Sequence, residues 1–251
     1  MQIDADGKRI AMVTGSAKGI GRAIALTLAR SGVVPVLVDI DGEAAKKVVM
    51  EISDEGIETI CFVCDVSNVG EVRRCFADVF DSFGGVDILV NNAGILSTTP
   101  ITEIDEEHWQ RVIDVNLKSA VFATQAALKY MIPRKWGRII NISSMAGRMG
   151  GFDTGCAYSV SKAGMIGLTM RVARRVAGEG ITVNAIAPGP SNTDLVQGFT
   201  PEVRKGLIES IPVGRVIEPE RIAETAAFLA SDAAEFITGA VIDVNGGMFM
   251  G

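Results

Sequence analysis

The chain has 251 residues, a net charge of −6 at pH 7 and a sequence pI of about 5.0. Phosphate affinity comes mostly from clustered Lys and Arg, so this acidic balance argues against nucleic acid as a partner. Charged residues and glycines interrupt the hydrophobic 48% every few positions, and no stretch approaches the roughly 20 apolar residues that cross a bilayer. The polar start, Met1–Lys8, lacks the features of a secretory signal, which predicts a cytoplasmic protein without a membrane partner.

Short apolar runs alternate with longer amphipathic segments along the whole chain. This rhythm is typical of βαβ units, which build a parallel sheet with helices on both faces. We predict one α/β domain over residues 1–251, with seven strands. The predicted strands are Arg9–Thr14, Pro35–Asp39, Glu58–Cys64, Ile88–Asn91, Gly137–Ile142, Thr182–Ile186 and Ala240–Val244. The predicted helices include Ile20–Ser31, Val69–Phe83, Trp109–Met131, Tyr158–Ala177 and Pro219–Ala230.

A glycine-rich turn joins the first predicted strand to the first predicted helix. Glycines there let backbone N–H groups approach a pyrophosphate, and the start of the helix adds partial positive charge. The turn therefore predicts a dinucleotide site. The residues expected to bind the cofactor from this turn are Gly15, Ser16, Lys18, Gly19, Ile20 and Gly21.

Asp39 closes the second predicted strand, about 20 residues beyond the glycines. A carboxylate there can accept hydrogen bonds from ribose hydroxyls and would repel a 2′-phosphate, which favours NAD and makes NADP the less favoured cofactor. Two alternatives stay open. Asp39 can instead cap the next helix, and Lys18 offers a cation that would suit a 2′-phosphate.

The cysteines and the single histidine predict no metal site. Cys61 and Cys64 have the CxxC spacing, but they fall on a predicted strand, where residues three apart point to opposite faces. We interpret them as small buried hydrophobes. With His108 as the chain's one histidine, a His-based metal centre is excluded as well.

Tyr158 and Lys162 lie four residues apart at the start of a predicted helix and therefore share a face. A free phenol titrates near pH 10, which makes it a poor base at neutral pH, but a nearby ammonium favours the phenolate. A pair at this spacing also occurs by chance on the surfaces of helices. The pair becomes informative through the motifs around it.

Several ordered motifs together resemble the short-chain dehydrogenase/reductase family, in its branch of roughly 250 residues, over essentially the whole chain. Beyond the glycine turn they are Asn91-Asn92-Ala93-Gly94, Asn116 in Asp114-Val115-Asn116-Leu117, Asn141-Ile142-Ser143-Ser144, Tyr158-Ser159-Val160-Ser161-Lys162 and Pro188-Gly189. The resemblance implies a Rossmann-like, doubly wound α/β fold and an oxidoreductase that uses a nicotinamide cofactor.

The resemblance also implies the roles of four catalytic residues. Tyr158 would be the general acid/base, and Ser144 would hydrogen-bond the substrate oxygen. Lys162 would lower the pKa of the tyrosine and hold the ribose, while Asn116 would position a water behind Lys162. Ser143 competes with Ser144 for the serine role; motif alignment favours Ser144, and only one of two neighbours at the end of a strand faces the pocket.

Further cofactor contacts follow from the same resemblance. Asp65 and Val66 would flank the adenine, although Asp65 can also be a helix cap. Asn91 and the segment after it would line the cleft, although Asn91 can also be an amide that stabilises the sheet. The remaining expected contacts are Asn92, Ala93, Gly94, Tyr158, Lys162, Pro188, Gly189, Ser191 and Thr193.

Two segments are expected to shape the substrate pocket. Residues 188–212 carry four prolines and are long for a connection, so we predict a substrate lid, with a plain surface excursion as the alternative. Ser191 in it departs from the Ile or Val common in the family. By resemblance Met145–Ala157 forms one pocket wall, where Arg148 can receive an anionic group or simply be solvated.

The leading hypothesis is an NAD-dependent enzyme that moves a hydride between the cofactor and a secondary alcohol or ketone. The alternative is an NADPH-dependent 3-oxoacyl-[acyl-carrier-protein] reductase, which the sequence also resembles. Such reductases dock an acidic carrier through basic residues, and at one of those positions this chain has Glu179. A non-catalytic nucleotide-binding sensor or scaffold is a third hypothesis, against which the retained tyrosine and lysine argue. The resemblance further implies a homo-oligomer, commonly a tetramer.

Overall fold

The computed structural model describes residues 7–152, 154–192 and 200–251. Its strands are β1 (Ile10–Thr14), β2 (Val34–Asp39), β3 (Ile60–Val63), β4 (Ile88–Asn91), β5 (Gly137–Ile142), β6 (Ile181–Pro188) and β7 (Val241–Val244). They form one sheet in the order β3-β2-β1-β4-β5-β6-β7, with every pair parallel. The predicted seven-stranded parallel sheet is confirmed.

Helices follow most of the strands. They are α1 (Gly19–Arg30), α2 (Gly42–Asp54), α3 (Val69–Phe83), α4 (Glu106–Ile113), α5 (Ser119–Arg134), α6 (Ala146–Met149), α7 (Cys156–Val176), α8 (Pro201–Glu209) and α9 (Pro219–Ala230). The helix predicted over Trp109–Met131 is not one regular helix. A π-helical turn, Asp114–Lys118, interrupts it between α4 and α5.

Helix boundaries have local chemical causes. Asn68 begins α3 by accepting hydrogen bonds from the backbone N–H groups of Gly70 and Glu71. The helix ends at Gly84, whose φ of +75° lies in the left-handed region that glycine adopts without strain. These signals explain why the predicted and observed bounds of α3 coincide.

Two apolar clusters cover the two faces of the sheet. On one face, α3, α5 and α7 pack against the sheet around Phe76, Met131 and Val176. On the other face, α1 and α9 pack around Ile24 and Leu229. The strand order reverses between β1 and β4, and the carboxyl ends beside that point are where doubly wound sheets bind ligands.

The CxxC pair lies on opposite faces, as its strand spacing predicts. Cys61 packs with the cluster of α1 and α2, whereas Cys64 belongs to the cluster of α3, α5 and α7. No group of three metal-ligating side chains forms within the residues described above. None of the helices described is long and apolar enough to cross a membrane.

Two described parts of the segment over residues 188–212 have regular structure. Ser191 forms a parallel bridge with Ile217, and α8 lies within the segment, capped by the hydroxyl of Thr200. The prolines that suggested a loop include Pro201, which occupies the first turn of α8, where a proline is well tolerated. The structure does not describe residues 193–199, and the predicted cofactor residue Thr193 lies among them.

A matched pair of isoleucines tests where the core lies. Ile139 in β5 is fully buried and Ile101 is 68% exposed. We expect Ile139→Ala to lower the free energy of unfolding by about 2–5 kcal/mol, because it leaves a cavity between the sheet and its helices. Ile101→Ala should change it by less than about 0.5 kcal/mol. Urea unfolding at one protein concentration measures both, and equal losses would contradict this description of the core.

Candidate active site

The glycine turn follows β1, and neither Gly15 nor Gly21 in it has room for a side chain. A Cβ on Gly21 would stand 2.0 Å from the carbonyl oxygen of Gly15, and one on Gly15 would stand 2.8 Å from the Cα of Ala93. Asn92 fixes the turn by donating from Nδ2 to the carbonyl oxygens of Thr14 and Gly15, at 3.0 and 2.9 Å. The predicted residues of the two motifs therefore lie together.

The start of α1 is open to a ligand, whereas Ser16 faces inward. No described side chain caps α1 at Lys18, so its first N–H groups are available to an anion. Ser16 is fully buried, and its hydroxyl accepts a hydrogen bond from the N–H of Val38 in β2. The N–H of Ser16 also donates to the carbonyl of Val38, so both its hydroxyl and its N–H bind β2.

Asp39 ends β2 directly beside the glycine turn. One carboxylate oxygen accepts a hydrogen bond from the N–H of Ala17 at 2.8 Å, and the other accepts from the N–H of Asp41 at 3.0 Å. Asp41, not Asp39, caps α2 through the N–H of Ala44. Lys18 points to Asp41, with Nζ 3.9 Å from its carboxylate. The helix-cap alternative for Asp39 is therefore wrong.

Asp65 and Val66 follow β3 on the same edge of the sheet. The Asp65 carboxylate accepts hydrogen bonds from the N–H and the hydroxyl of Ser67, at 2.9 and 2.7 Å. Because Asn68 caps the next helix, the helix-cap alternative for Asp65 is also wrong. Val66 is partly buried against the core cluster of α3. Both residues lie at the end of the strand next to Asp39.

Asn116 occupies the π-helical turn and is almost fully buried. Its carboxamide accepts a hydrogen bond from the N–H of Ile95 at 2.8 Å and donates to the carbonyl of Ile95 at 3.0 Å. It also donates to the hydroxyl of Ser161 on α7 at 3.1 Å. A helix that widens to satisfy one amide commonly marks a functional position. The turn thus attaches α4 and α5 to the first turns of α7.

The two serines after β5 face different ways. Ser143 is buried, and its hydroxyl donates to the carbonyl of Lys162 at 2.7 Å. The Ser144 hydroxyl accepts a hydrogen bond from the N–H of Ala146 and also shares one with the phenol of Tyr158. Of the two serines, Ser144 is therefore the one that contacts Tyr158.

Tyr158 and Lys162 lie on one face of α7, as their spacing predicts. The Lys162 Nζ is 5.8 Å from the centroid of the Tyr158 ring and donates to the carbonyl of Ile142 at 2.8 Å. A Cβ on Gly94 would stand 3.4 Å from this Nζ and 3.3 Å from Asn116 Oδ1. The structure thus places Lys162 and Asn116 beside Gly94, with Tyr158 next to Lys162 and Ser144 next to Tyr158.

Burial sets the pKa values of the pair. It lowers the pKa of Lys162 to about 8, because desolvation disfavours the cation. It also raises the pKa of Tyr158, and the hydrogen bond with Ser144 opposes this only in part. With the protein groups alone, the pKa of Tyr158 therefore lies above its ordinary value, and burial is the larger cause. That Lys162 lowers this pKa stays a prediction.

The end of β6 closes the cleft. The carbonyl of Pro188 accepts a hydrogen bond from the N–H of Met145, and the N–H of Gly189 donates to the carbonyl of Val244. A Cβ on Gly189 would stand 2.9 Å from the Cα of Asn245. Pro188 therefore lies against the turn Ser143–Met145 (the serine turn), and Gly189 lies against Val244 and Asn245. Ser191 lies two residues further, at the bridge to Ile217.

These residues fit a dinucleotide. The glycine turn and the open start of α1 suit a pyrophosphate, and Asp39 suits ribose hydroxyls at the neighbouring strand end. Ser144, Tyr158 and Lys162 lie across the same edge of the sheet, at the end of β5 and on α7. The predicted residues that the structure describes therefore lie along one edge of the sheet, and their roles stay predictions; Thr193 lies outside the described residues.

Sequence reasoning missed residues that support the site from behind. Gly147 is one: a Cβ there would stand 2.6 Å from the carbonyl carbon of Lys162, so only glycine lets α6 approach α7 this closely. Ser161 is another, since its hydroxyl links Asn116 to the carbonyl of Tyr158. Ser161 lay inside a quoted motif, so the signal was present but its partner was not visible.

Comparison with known proteins gives the family. A family model described as enoyl-(acyl carrier protein) reductase matches residues 15–249. The 3-oxoacyl-[acyl-carrier-protein] reductase FabG of Staphylococcus epidermidis is 43% identical over 243 residues, which are 96% of this chain and 98% of that protein. The chain belongs to the short-chain dehydrogenase/reductase family. The reductase of the same name from Aquifex aeolicus is 40% identical over 99% of this chain and all of that protein.

Solved structures agree with this membership. The crystal structure of gox2181 superposes with a TM-score of 0.93 at 34% identity, covering 98% of this chain and 96% of that one. A putative gluconate dehydrogenase from Agrobacterium tumefaciens gives a TM-score of 0.91 at 38% identity, covering 96% of each chain. The chain is therefore a short-chain dehydrogenase/reductase with a single Rossmann-like domain, an oxidoreductase of a family that binds nicotinamide cofactors.

The buried lysine predicts a pH dependence of stability. The folded protein releases the Lys162 proton near pH 8, whereas the unfolded chain keeps it to about pH 10.5. Between these values the unfolded state binds more protons, so the lysine makes stability rise with pH. Lys162→Met should remove this increment, and Lys129→Met, at an exposed lysine of α5, should keep it. Urea unfolding across this range measures it; identical slopes in the two variants would contradict a buried cation.

Proposed function

We propose that this protein is an NAD(H)-dependent oxidoreductase that interconverts a ketone and a secondary alcohol. The observation that carries the proposal is the placement of the Ser144 hydroxyl beside the Tyr158 phenol, whose pKa it lowers, with the Lys162 ammonium 5.8 Å from the phenol ring. Two hydroxyls that share one proton network beside a cation are suited to bind and protonate a carbonyl oxygen. The retained tyrosine and lysine argue against the sensor or scaffold hypothesis.

In the direction of reduction, the substrate oxygen would accept hydrogen bonds from Ser144 and Tyr158. The bound nicotinamide supplies the hydride. Tyr158, whose raised pKa keeps its proton in place at neutral pH, gives that proton to the oxygen as negative charge develops. Lys162 stabilises the resulting phenolate, and the carbonyl of Ile142 holds its ammonium in position. Asn116 would position the water that returns a proton from solvent.

Asp39 supports NAD as the cofactor. Its carboxylate is fixed by two backbone N–H groups at the strand end where the ribose would lie, and a 2′-phosphate would meet this charge directly. Lys18, the cation that would suit a 2′-phosphate, points instead to Asp41. The charges around the predicted ribose position thus favour NAD over NADP.

The second candidate is an NADPH-dependent 3-oxoacyl-[acyl-carrier-protein] reductase. The identity of 43% with a reductase of that name favours it, and it supports a 3-oxoacyl thioester as the first ketone to assay. Against it stands Glu179, which forms an ion pair with Lys135. This pair neutralises a cation on a surface that the second candidate needs to be basic, so an acidic carrier would gain little attraction there.

Assembly, lid and location remain proposals. A homotetramer is supported by apolar side chains exposed on the long helices and beyond α9, namely Val121, Met170, Phe228 and Phe236. A substrate lid over residues 188–212 is supported by its course from the carboxyl end of β6. The cytoplasmic location rests on the sequence alone.

Tyrosine hydroxyls provide the test of the mechanism. We expect Tyr158→Phe to lower kcat by at least about 100-fold, because it removes the hydroxyl that is proposed to give the proton, while NADH binding stays intact. Tyr130, the other tyrosine of the chain, stacks on Phe80 and serves as the matched control. NADH absorbance with a panel of ketones measures turnover. Equal activity of Tyr158→Phe and Tyr130→Phe would remove the mechanism.

The cofactor preference is tested at Asp39. The protein should bind NADH more tightly than NADPH, and Asp39→Asn should shift the ratio of the two Kd values towards NADPH by about tenfold, since one repulsive charge is lost. Asp81→Asn removes an equal charge from the exposed end of α3 and should leave the ratio unchanged. Fluorescence titration measures the Kd values. Tighter NADPH binding by the unmodified protein would favour the second candidate.

A further inference from the structure

An arginine beside the catalytic serine turn is bound to the last residues of the chain. Arg148 lies on α6, four residues after Ser144, with a guanidinium nitrogen 3.2 Å from the carboxylate of Asp243 in β7. The same nitrogen donates to the carbonyl of Gly251 at 3.3 Å, and the guanidinium lies 4.8 Å from the ring centroid of Phe249. The side chains of the ion pair are only 19% and 18% exposed. Arg148 is thus mostly buried and paired through one guanidinium nitrogen, rather than simply solvated.

Helix α6 is in turn fixed to the catalytic groups. The N–H of Ala146 donates to the Ser144 hydroxyl at 3.0 Å, and the N–H of Gly147 donates to the Ser144 carbonyl at 2.9 Å. Gly147 also touches the backbone of α7 at Lys162. Arg148 is therefore connected to Ser144 and to the start of α7 through the backbone contacts of α6.

The segment that Arg148 holds, residues 245–251, is called the tail here. Asn245 folds it back by accepting a hydrogen bond from the N–H of Gly247 at 3.0 Å and donating to the carbonyl of Phe249 at 3.2 Å. On its other side, Gly246 accepts a hydrogen bond from the N–H of Val213, and Met248 packs on the cluster that contains Ile211. The tail therefore fills the space between α6 and residues 211–216.

The exposed side chains along this contact are apolar. Met149 follows Arg148 and is 38% exposed, Val213 is 61% exposed and Met250 is 79% exposed. The cation of α6, Arg148, is paired with Asp243. The chemistry of this surface suits an uncharged, apolar substrate body.

We propose that Arg148 is a positioning residue for substrate binding: it fixes the tail against the serine turn, so that the two form one rigid, apolar wall of the substrate pocket. The proposal rests on the proposed function, because it takes the ketone to bind beside Ser144. Removing the guanidinium leaves the Asp243 carboxylate half-buried without its partner and releases Phe249. The wall then loses its fixed shape, while the cofactor cleft keeps its own contacts.

The test compares Arg148→Met with Arg9→Met. Arg9 precedes β1, at the edge of the sheet opposite to the catalytic groups, and makes the same kinds of contact. Its guanidinium lies 3.7 Å from the Trp136 ring centroid and 2.9 Å from the carboxylate of Asp232. We expect Arg148→Met to raise KM for an apolar ketone about tenfold and to leave kcat and KM for NADH within about twofold. Arg9→Met should change none of the three. An unchanged ketone KM, or a parallel loss in kcat and in KM for NADH, would overturn the proposal.

Hydrogen exchange separates this proposal from the proposed function. In Arg148→Met the amides of residues 245–251 and 144–149 should exchange at least about tenfold faster than in the unmodified protein, and in Arg9→Met they should not. Unchanged exchange overturns the positioning role whether or not a substrate is found. Faster exchange together with no turnover of any ketone supports the role and rejects the function. Should Arg148→Met not fold, Phe249→Ala, which removes only the stacked ring, must give the same two results.

Discussion

The burial of the Lys162 ammonium is the constraint on which the rest of the site depends. The side chain is only 4% exposed, and a buried cation is tolerated only where fixed dipoles replace the water it loses. The carbonyl of Ile142 supplies such a dipole, because it lies at the carboxyl end of β5, inside the sheet between β4 and β6. The parallel sheet, with its strand order, thus provides at one edge both the partner of the cation and the turn that presents Ser144.

Under the proposed function, reduction and oxidation need opposite protonation states of Tyr158. The protein groups alone leave the Tyr158 phenol protonated, because burial raises its pKa more than Ser144 lowers it. A protonated phenol is what reduction of a ketone needs, whereas oxidation of an alcohol needs the phenolate. Oxidation starts with the positively charged form of the nicotinamide bound, and that charge favours the phenolate. The positive charge of the oxidised nicotinamide is therefore present in the oxidation direction, which is the one that needs the phenolate.

The sequence predicted what depends on local pattern. Alternation and turn chemistry were enough for the seven strands and for the bounds of α3, and motif spacing was enough to group Ser144, Tyr158 and Lys162. The π-helical turn at Asn116 was not predictable, because the backbone of Ile95, which the amide bonds, lies 21 residues away along the chain. The raised pKa of Tyr158 was missed for the same kind of reason: desolvation depends on packing, which spacing does not reveal.

Charged side chains show most clearly where the structure differs from what the sequence pattern suggested. From the sequence, Arg148 could receive an anionic group of the substrate. In the structure it forms an ion pair with Asp243, nearly one hundred residues later in the chain. Lys135 forms an ion pair with Glu179, and Lys18 forms one with Asp41. An identity near 43% reflects mostly the shared framework of sheet, glycine turn and catalytic helix, whereas each of these pairs decides whether a cation remains available to a partner. Under the proposed function, substrate and cofactor preference would depend on local charges such as these, which the shared framework of the family does not determine.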